Sequence, residues 1–175
     1  MIREKIEDYV TTIPDFPEPG IMFRDITTVI SDEDGLKMAV DKMQELISDV
    51  DFDVIVGAES RGFIFGTALA YNMHKSMVLV RKAGKLPRET IKKTYDLEYG
   101  TATIEMHKDS IKPGQKVIIV DDLLATGGTV AATAELVKEL GGEVVGVVVL
   151  MTLEGLNGRD KLDCPVYSVI CYDGK

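Results

Sequence analysis

Residues 117–137 read VIIVDDLLATGGTVAATAELV. Four apolar residues run into two adjacent acids, Asp121 and Asp122. A loop of small and hydroxylated residues follows, then a helical pattern. A short apolar run bounded by a turn predicts a strand buried on both faces. Two carboxylates at the end of such a strand are costly to desolvate without partners, so something must stand opposite them. The loop from Ala125 to Thr129 carries little beyond its backbone and the hydroxyls of Thr126 and Thr129. Its N–H groups can converge on an anion at the positive end of the following helix, and a phosphate suits that place. Carboxylates accept hydrogen bonds, so Asp121 and Asp122 suit sugar hydroxyls or a metal ion. Phosphate beside sugar hydroxyls describes a ribose 5-phosphate. The plainer alternative, an ordinary strand-to-helix turn, leaves the paired acids unexplained.

The rest of the chain supplies a frame for this stretch. IREKIEDYV predicts a short amphipathic helix, and PDFPEPG a proline-rich turn that ends it. IMFRDITTVI is β-prone throughout. Ser31 to Asp34 offer N-caps for a helix through LKMAVDKMQELISDV. DVIVGAES, MVLVRK, KVIIVDD, EVVGVVVLMTLEG and VYSVIC read as strands. GFIFGTALAYNM and GGTVAATAELVKELGG read as helices, the second ending at a glycine pair. TYDLEYGTATIEMHKD reads as a hairpin around Tyr99-Gly100. Apolar strands alternating with helices predict an α/β fold with a mostly parallel sheet covered on both faces. Ligands of such sheets bind outside the carboxyl ends of the strands, where GAESRG, RKAGK and DDLLATGGT fall.

The chain has 175 residues, 45% of them hydrophobic, enough for one domain spanning residues 1–175. No apolar run reaches the length of a membrane span. MIREKIEDYV lacks the pattern of a secretory signal, so the cytoplasm is the expected location. Cys164 and Cys171 would be held ~20 Å apart along one strand, too far to pair, and free thiols fit a reducing compartment. His74 and His107 have no neighbours at metal-ligand spacing, so no resident metal site is expected. A net charge of −9 and a pI of about 4.7 argue against nucleic acid as a partner. Against that acidity stands RKAGKLPRETIKK, Arg81 to Lys93. Its charges fit either a solvated loop or a local anion site.

Two nucleotide-binding alternatives fail on their residues. GAESRGFI, from Gly57, has the glycine spacing of a Walker A loop but carries Phe63 where the phosphate-binding lysine must stand. No GxGxxG follows a strand.

VIIVDDLLATGGT resembles the phosphoribosyl pyrophosphate (PRPP) motif of the type I phosphoribosyltransferase family. IPDFPEPGIMFRDIT, ESRGF, RKAGKLP and LEYG resemble the adenine-using branch of that family in particular. The resemblance runs from about Ile13 to Lys161, with the motifs in the family's order. It implies the type I fold, with a small N-terminal hood and a flexible hairpin. It also implies transfer of the phosphoribosyl group of PRPP to adenine, giving AMP and pyrophosphate with Mg2+, in a homodimer.

The roles it implies fall on matching positions. Ala125, Thr126, Gly127, Gly128 and Thr129 would cradle the 5-phosphate. Asp121 and Asp122 would hold the ribose 2- and 3-hydroxyls, near the charge that develops on the ring. Glu59, Ser60 and Arg61 would form the pyrophosphate loop, with a cis bond between Glu59 and Ser60. Arg81, Lys82 and Lys85 would meet pyrophosphate, some across the dimer interface. Phe23 and Leu153 would sandwich the base, and the backbone of Met22 and Arg24 would read its edge. Glu98, in the hairpin, would manage the purine's proton.

Two other functions share these motifs. A PRPP-sensing regulator would bind without turnover, but the short N-terminal stretch leaves no room for a DNA-binding domain and Glu98 is retained. A transferase for another purine would carry an acid at Ala125 or Asn-Gly-Gln at Thr126-Gly127-Gly128, and this sequence has neither.

Overall fold

The computed structural model describes residues 4–97 and 100–174. In chain order the strands are β1 (Thr11–Pro14), β2 (Met22–Asp25), β3 (Val54–Ala58), β4 (Ser76–Lys82), β5 (Thr90–Asp96), β6 (Thr101–His107), β7 (Lys116–Leu124), β8 (Glu143–Leu153) and β9 (Val166–Tyr172). The helices are α1 (Thr27–Ile30), α2 (Glu33–Leu46), α3 (Gly62–Asn72) and α4 (Gly128–Glu139). β1 and β2 pair antiparallel as a separate two-stranded hood. The other seven form one sheet in the order β5-β6-β4-β3-β7-β8-β9. From β4 through β9 that sheet is parallel, and β5 and β6 add an antiparallel hairpin at its edge. This is the mostly parallel α/β sheet that the sequence predicts.

Alternation along the central strands divides the core in two. Ile55, Ile118, Val120, Val148 and Leu150 face Met43 and Ile47, at α2 and its end, and Phe65 and Leu69 of α3. Val54, Val56, Val117, Ile119, Val147 and Val149 face Val130, Leu136 and Val137 of α4. Every residue of β3 is buried, which accounts for the unbroken apolar run DVIVGA.

Several local expectations change. The first helix is only a 3-10 turn over Ile6–Tyr9 among the described residues. The run IMFRDITTVI is strand only to Asp25. The Asp25 carboxylate accepts from the N–H and the hydroxyl of Thr27, both at 2.8 Å, and turns the chain into α1. Strand propensity in Thr27 and Thr28 loses to that local bond, and to the Thr28 hydroxyl donating to the Tyr9 carbonyl at 2.6 Å. α2 starts where expected: Asp32 caps it, its carboxylate accepting from the N–H groups of Asp34 and Gly35 at 3.0 Å each. It stops at Leu46, short of the expected Val50, because Ile47 leaves helical geometry at φ −113° and ψ 8°. The hairpin pairs in register from Thr90↔His107 to Asp96↔Thr101. Its expected Tyr99, and Glu98, lie outside the described residues.

Replacing the α2 cap should show in stability and not in fold. Asp32→Ala is expected to cost about 1 kcal/mol in urea unfolding, with the slope of the transition unchanged.

Candidate active site

β3 and β7 lie side by side, but the chain leaves them in opposite directions. From β3 it passes through α3 to β4 on one side, and from β7 through α4 to β8 on the other. The two departing loops open a crevice at the carboxyl ends, the usual place for a ligand in an open α/β sheet. Glu59, Ser60 and Arg61 enter it from β3. Asp121, Asp122 and the loop from Ala125 to Thr129 enter it from β7. Together they line a cleft of about 240 Å³.

The residue opposite the paired acids is Arg61. Its Nε lies 2.8 Å from Oδ2 of Asp122, whose side chain is 5% exposed while that of Arg61 is 48% exposed. Arg61 therefore pairs a buried carboxylate while keeping much of its guanidinium open to the cleft. It can do so because α3 begins directly against β7. A Cβ on Gly62 would stand 2.6 Å from the Val120 carbonyl, so only glycine allows this approach. Among the described residues Asp121 forms no such ion pair, although the charge of Arg61 acts on it too. Its Oδ1 accepts the Asp122 N–H at 2.9 Å. Burial, and then the neighbouring charge of Asp122, push its carboxyl well above the usual range.

The loop after β7 is bare for more than one reason. Gly127 is the N-cap of α4 at φ +78°, and a Cβ there would stand 2.5 Å from the Gly158 carbonyl. A Cβ on Gly128 would come 3.2 Å from the Tyr95 ring. No side chain caps α4, so the N–H groups of its first turn are left for an incoming acceptor. The sequence reading assigned the bareness to phosphate approach alone. The structure adds protein neighbours at both glycines.

Glu59 and the basic segment form one unit. The Glu59 carboxylate accepts the Lys82 N–H at 2.7 Å and pairs with Arg81 Nε at 3.3 Å. It thus braces β4, and of the expected β3 loop only Ser60 and Arg61 remain free of that duty. The Glu59-Ser60 peptide bond is cis, as the resemblance implies. Beyond Lys82 the chain turns back over Glu105, which is 1% exposed. Its Oε1 accepts the N–H groups of Lys85 at 2.9 Å and Leu86 at 2.8 Å. Burial opposes ionisation of Glu105, but the N–H bonds from Leu86, Gly84 and Lys85 outweigh it and hold the carboxyl below its ordinary value. The segment from Arg81 to Leu86 is thus a fixed platform for cations, anchored at both ends.

The hood reaches the neighbouring end of the sheet. The Arg24 guanidinium lies 4.1 Å over the Tyr172 ring and donates to the Thr12 hydroxyl. Tyr172 is in register with Leu153 across β8 and β9, which brings the hood and Leu153 to one place. The Phe23 ring packs edge-on against Phe16, centroids 5.1 Å apart, and Met22 is 41% exposed. None of these residues lines the 240 Å³ cleft, and neither do Arg81, Lys82 or Lys85. Glu98 lies outside the described residues.

Sequence reasoning did not single out Tyr95, Glu105, Gly158 or Tyr172. All four act through contacts between segments distant in the chain, which no local pattern marks. The one available signal was Glu105 itself, an acid set between the apolar Ile104 and Met106. Among the described residues no group of three or more His, Cys, Asp or Glu could hold a metal ion. A divalent cation here would need oxygens of the substrate to complete its shell.

A model of the phosphoribosyl transferase domain family matches residues 30–173. An adenine phosphoribosyltransferase of Agathobacter rectalis is 67% identical over 97% of this chain and 98% of that protein. A crystal structure of adenine phosphoribosyltransferase from Thermoanaerobacter pseudethanolicus superposes with a TM-score of 0.92 at 46% identity, covering 95% of this chain and 98% of that one. The Saccharomyces cerevisiae enzyme, solved with an imino-altritol bisphosphate and adenine, gives 0.88 at 40% identity over 94% and 96% of the two chains. The chain belongs to the phosphoribosyltransferase family, and within it to the adenine phosphoribosyltransferases.

Asp121 gives a test of site against stability. Because its folded pKa is raised, its ionisation costs stability as pH rises from the unfolded value of ~3.9 through the folded one. Asp121→Asn keeps an acceptor for the Asp122 N–H and removes that cost. At pH 7 the melting temperature should rise. The gain should vanish below pH 3, where the native aspartic acid is protonated in both states. Activity should fall at least ~10-fold. Thermal scans at the two pH values and initial rates check both halves.

Proposed function

We propose that this protein transfers the 5-phosphoribosyl group of PRPP to adenine, releasing pyrophosphate and forming AMP in purine salvage. The observation that carries this reading is the cleft at the switch point. There an uncapped, glycine-rich helix start faces two carboxylates, in a chain 67% identical to an adenine phosphoribosyltransferase.

The roles follow from the chemistry of each group. The first-turn N–H groups of α4 and the hydroxyls of Thr126 and Thr129 take the 5-phosphate. Asp121 and Asp122 accept from the ribose 2- and 3-hydroxyls. Breaking the bond between C1 and pyrophosphate places positive charge on the ribose and negative charge on the leaving group. The two carboxylates lie on the ribose side, and Arg61, Arg81, Lys82 and Lys85 offer cations to the pyrophosphate. Holding ribose at both its phosphate and its hydroxyls fixes C1 for attack by N9 of the base. Phe23 and Leu153 flank the purine, and Met22 and Arg24 meet its edge. Glu98 takes up the proton that the purine loses. Mg2+ bound with PRPP would supply charge neutralisation at the pyrophosphate, beside the cations of Arg61, Arg81, Lys82 and Lys85.

Further support bears on assembly and location. Ile64 and Tyr71 of α3 and Leu79 of β4 are exposed, and large apolar side chains of this kind suit burial against a second copy of the chain in a homodimer. Cys164 and Cys171 are free, which fits a reducing cytoplasm. No described helix is long and apolar enough to cross a membrane.

Two measurements test the reading. The first is initial-rate kinetics with adenine, hypoxanthine, guanine and xanthine at saturating Mg-PRPP, following pyrophosphate. Adenine should be favoured at least ~100-fold in kcat/KM. It pairs a 6-amino donor with an N1 acceptor, and the 6-oxopurines reverse both, leaving buried backbone groups unpaired at ~1–3 kcal/mol each. Comparable use of a 6-oxopurine sinks the adenine assignment, and PRPP binding without any turnover favours a regulator.

The second concerns Glu98. Glu98→Gln keeps shape and loses charge. Single-turnover rates should fall ~100-fold or more, with PRPP affinity nearly unchanged. A fall under ~3-fold would reduce Glu98 to a positional role.

A further inference from the structure

Thr129 stands in the first turn of α4, and its hydroxyl is hydrogen-bonded to the Tyr95 hydroxyl at 2.9 Å. Tyr95 comes from β5, an edge strand separated by β6, β4 and β3 from β7, which carries the paired acids. It nevertheless forms part of the cleft wall, and so does Leu97 two residues further on. The Tyr95 ring also lies where a Cβ on Gly128 would come within 3.2 Å. One side chain of the hairpin therefore touches two consecutive residues of the loop.

The chemistry of two facing hydroxyls depends on what else is present. Either oxygen can donate to the other. An anion in the loop removes that choice. Thr129 then gives its single proton to the anion, and its oxygen is left to accept the Tyr95 O–H. Tyr95 to Thr129 to anion becomes a chain of hydrogen bonds running one way, in which each bond strengthens the next.

We infer that Tyr95 is a further binding residue of the phosphate subsite, and that it ties the β5–β6 hairpin to the loop when a phosphomonoester occupies it. The inference rests on the phosphoribosyl reading and deepens it. By linkage, whatever the ligand adds to the tie, the tie adds to the affinity for the ligand. The hairpin brings Leu97 to the cleft on the same strand end, so occupancy of one subsite sets the position of a wall shared with the rest of the site.

Tyr95→Phe keeps the ring against Gly128 and removes only the hydroxyl. Calorimetric titration of the intact wild-type and variant proteins with ribose 5-phosphate, and separately with pyrophosphate, reads the effect. Affinity for ribose 5-phosphate should fall about 3–10-fold, the range of one lost hydrogen bond, with pyrophosphate affinity unchanged. Hydrogen exchange of β5 and β6 should slow when ribose 5-phosphate binds the wild type and should not slow in the variant. Equal affinity in the two proteins, equal losses for both ligands, or slowing that persists in the variant would each overturn the inference alone. A wild-type protein that does not bind ribose 5-phosphate would overturn the phosphoribosyl reading together with it.

Discussion

The parallel pairing of β3 with β7 is the constraint on which the site depends. Val54 to Gly57 run beside Val117 to Val120, and their pairing ends there, where the two chains part. Everything functional is delivered by what happens next. One chain turns into α3 and the other into α4. Gly62 allows the first helix to begin against the second strand, so Arg61 arrives beside Asp122. A larger residue at 62 would displace the helix start, and the buried carboxylate would lose its cation. Leaving such a charge unpaired costs several kcal/mol, more than a typical surface ion pair contributes. The ion pair is thus a consequence of backbone proximity, and that proximity is written into a single glycine.

Much of this frame was legible in the sequence because it rests on local rules. The apolar runs of β3, β7 and β8 have the length and composition of buried strands. Asp32 marks the start of α2, and the two acids with the bare loop mark the site. Other features depended on contacts that local rules do not see. Thr27 and Thr28 have the composition of a strand, but the Asp25 carboxylate turns them into a helix. Glu59 has the position of a ligand-binding loop residue, but its carboxylate is taken by Lys82 and Arg81. RKAGKLP has the charge of a solvated segment, but Glu105 organises it from beneath. In each case a carboxylate chose a partner that lay close in space or in the next turn, and composition alone could not name it.

The loop at Gly127 is held from behind as well as open in front. Gly158 packs its backbone on Ala125 and Gly127, with a hypothetical Cβ only 2.3 Å from the Ala125 carbonyl. Arg159 fixes that segment through Glu154 at 3.1 Å and through the Val166 carbonyl at 2.7 Å. Leu153, at the proposed base site, stands immediately before Glu154. The segment from Leu153 to Arg159 therefore backs the loop that would take one end of a nucleotide and begins at the residue that would flank the other.

The hood is a separate two-stranded sheet. Arg24, lying over the Tyr172 ring of β9, is a side-chain contact that joins it to the large one. Met22, Phe23 and Arg24, which would meet the base, are thus not on the strands that would hold the sugar and phosphates. Inheritance can act on the two independently. Drift in β1 and β2 can retune which purine is accepted while the crevice between β3 and β7 goes on performing the same transfer. A lineage can in this way diversify its diet of bases on an unaltered engine.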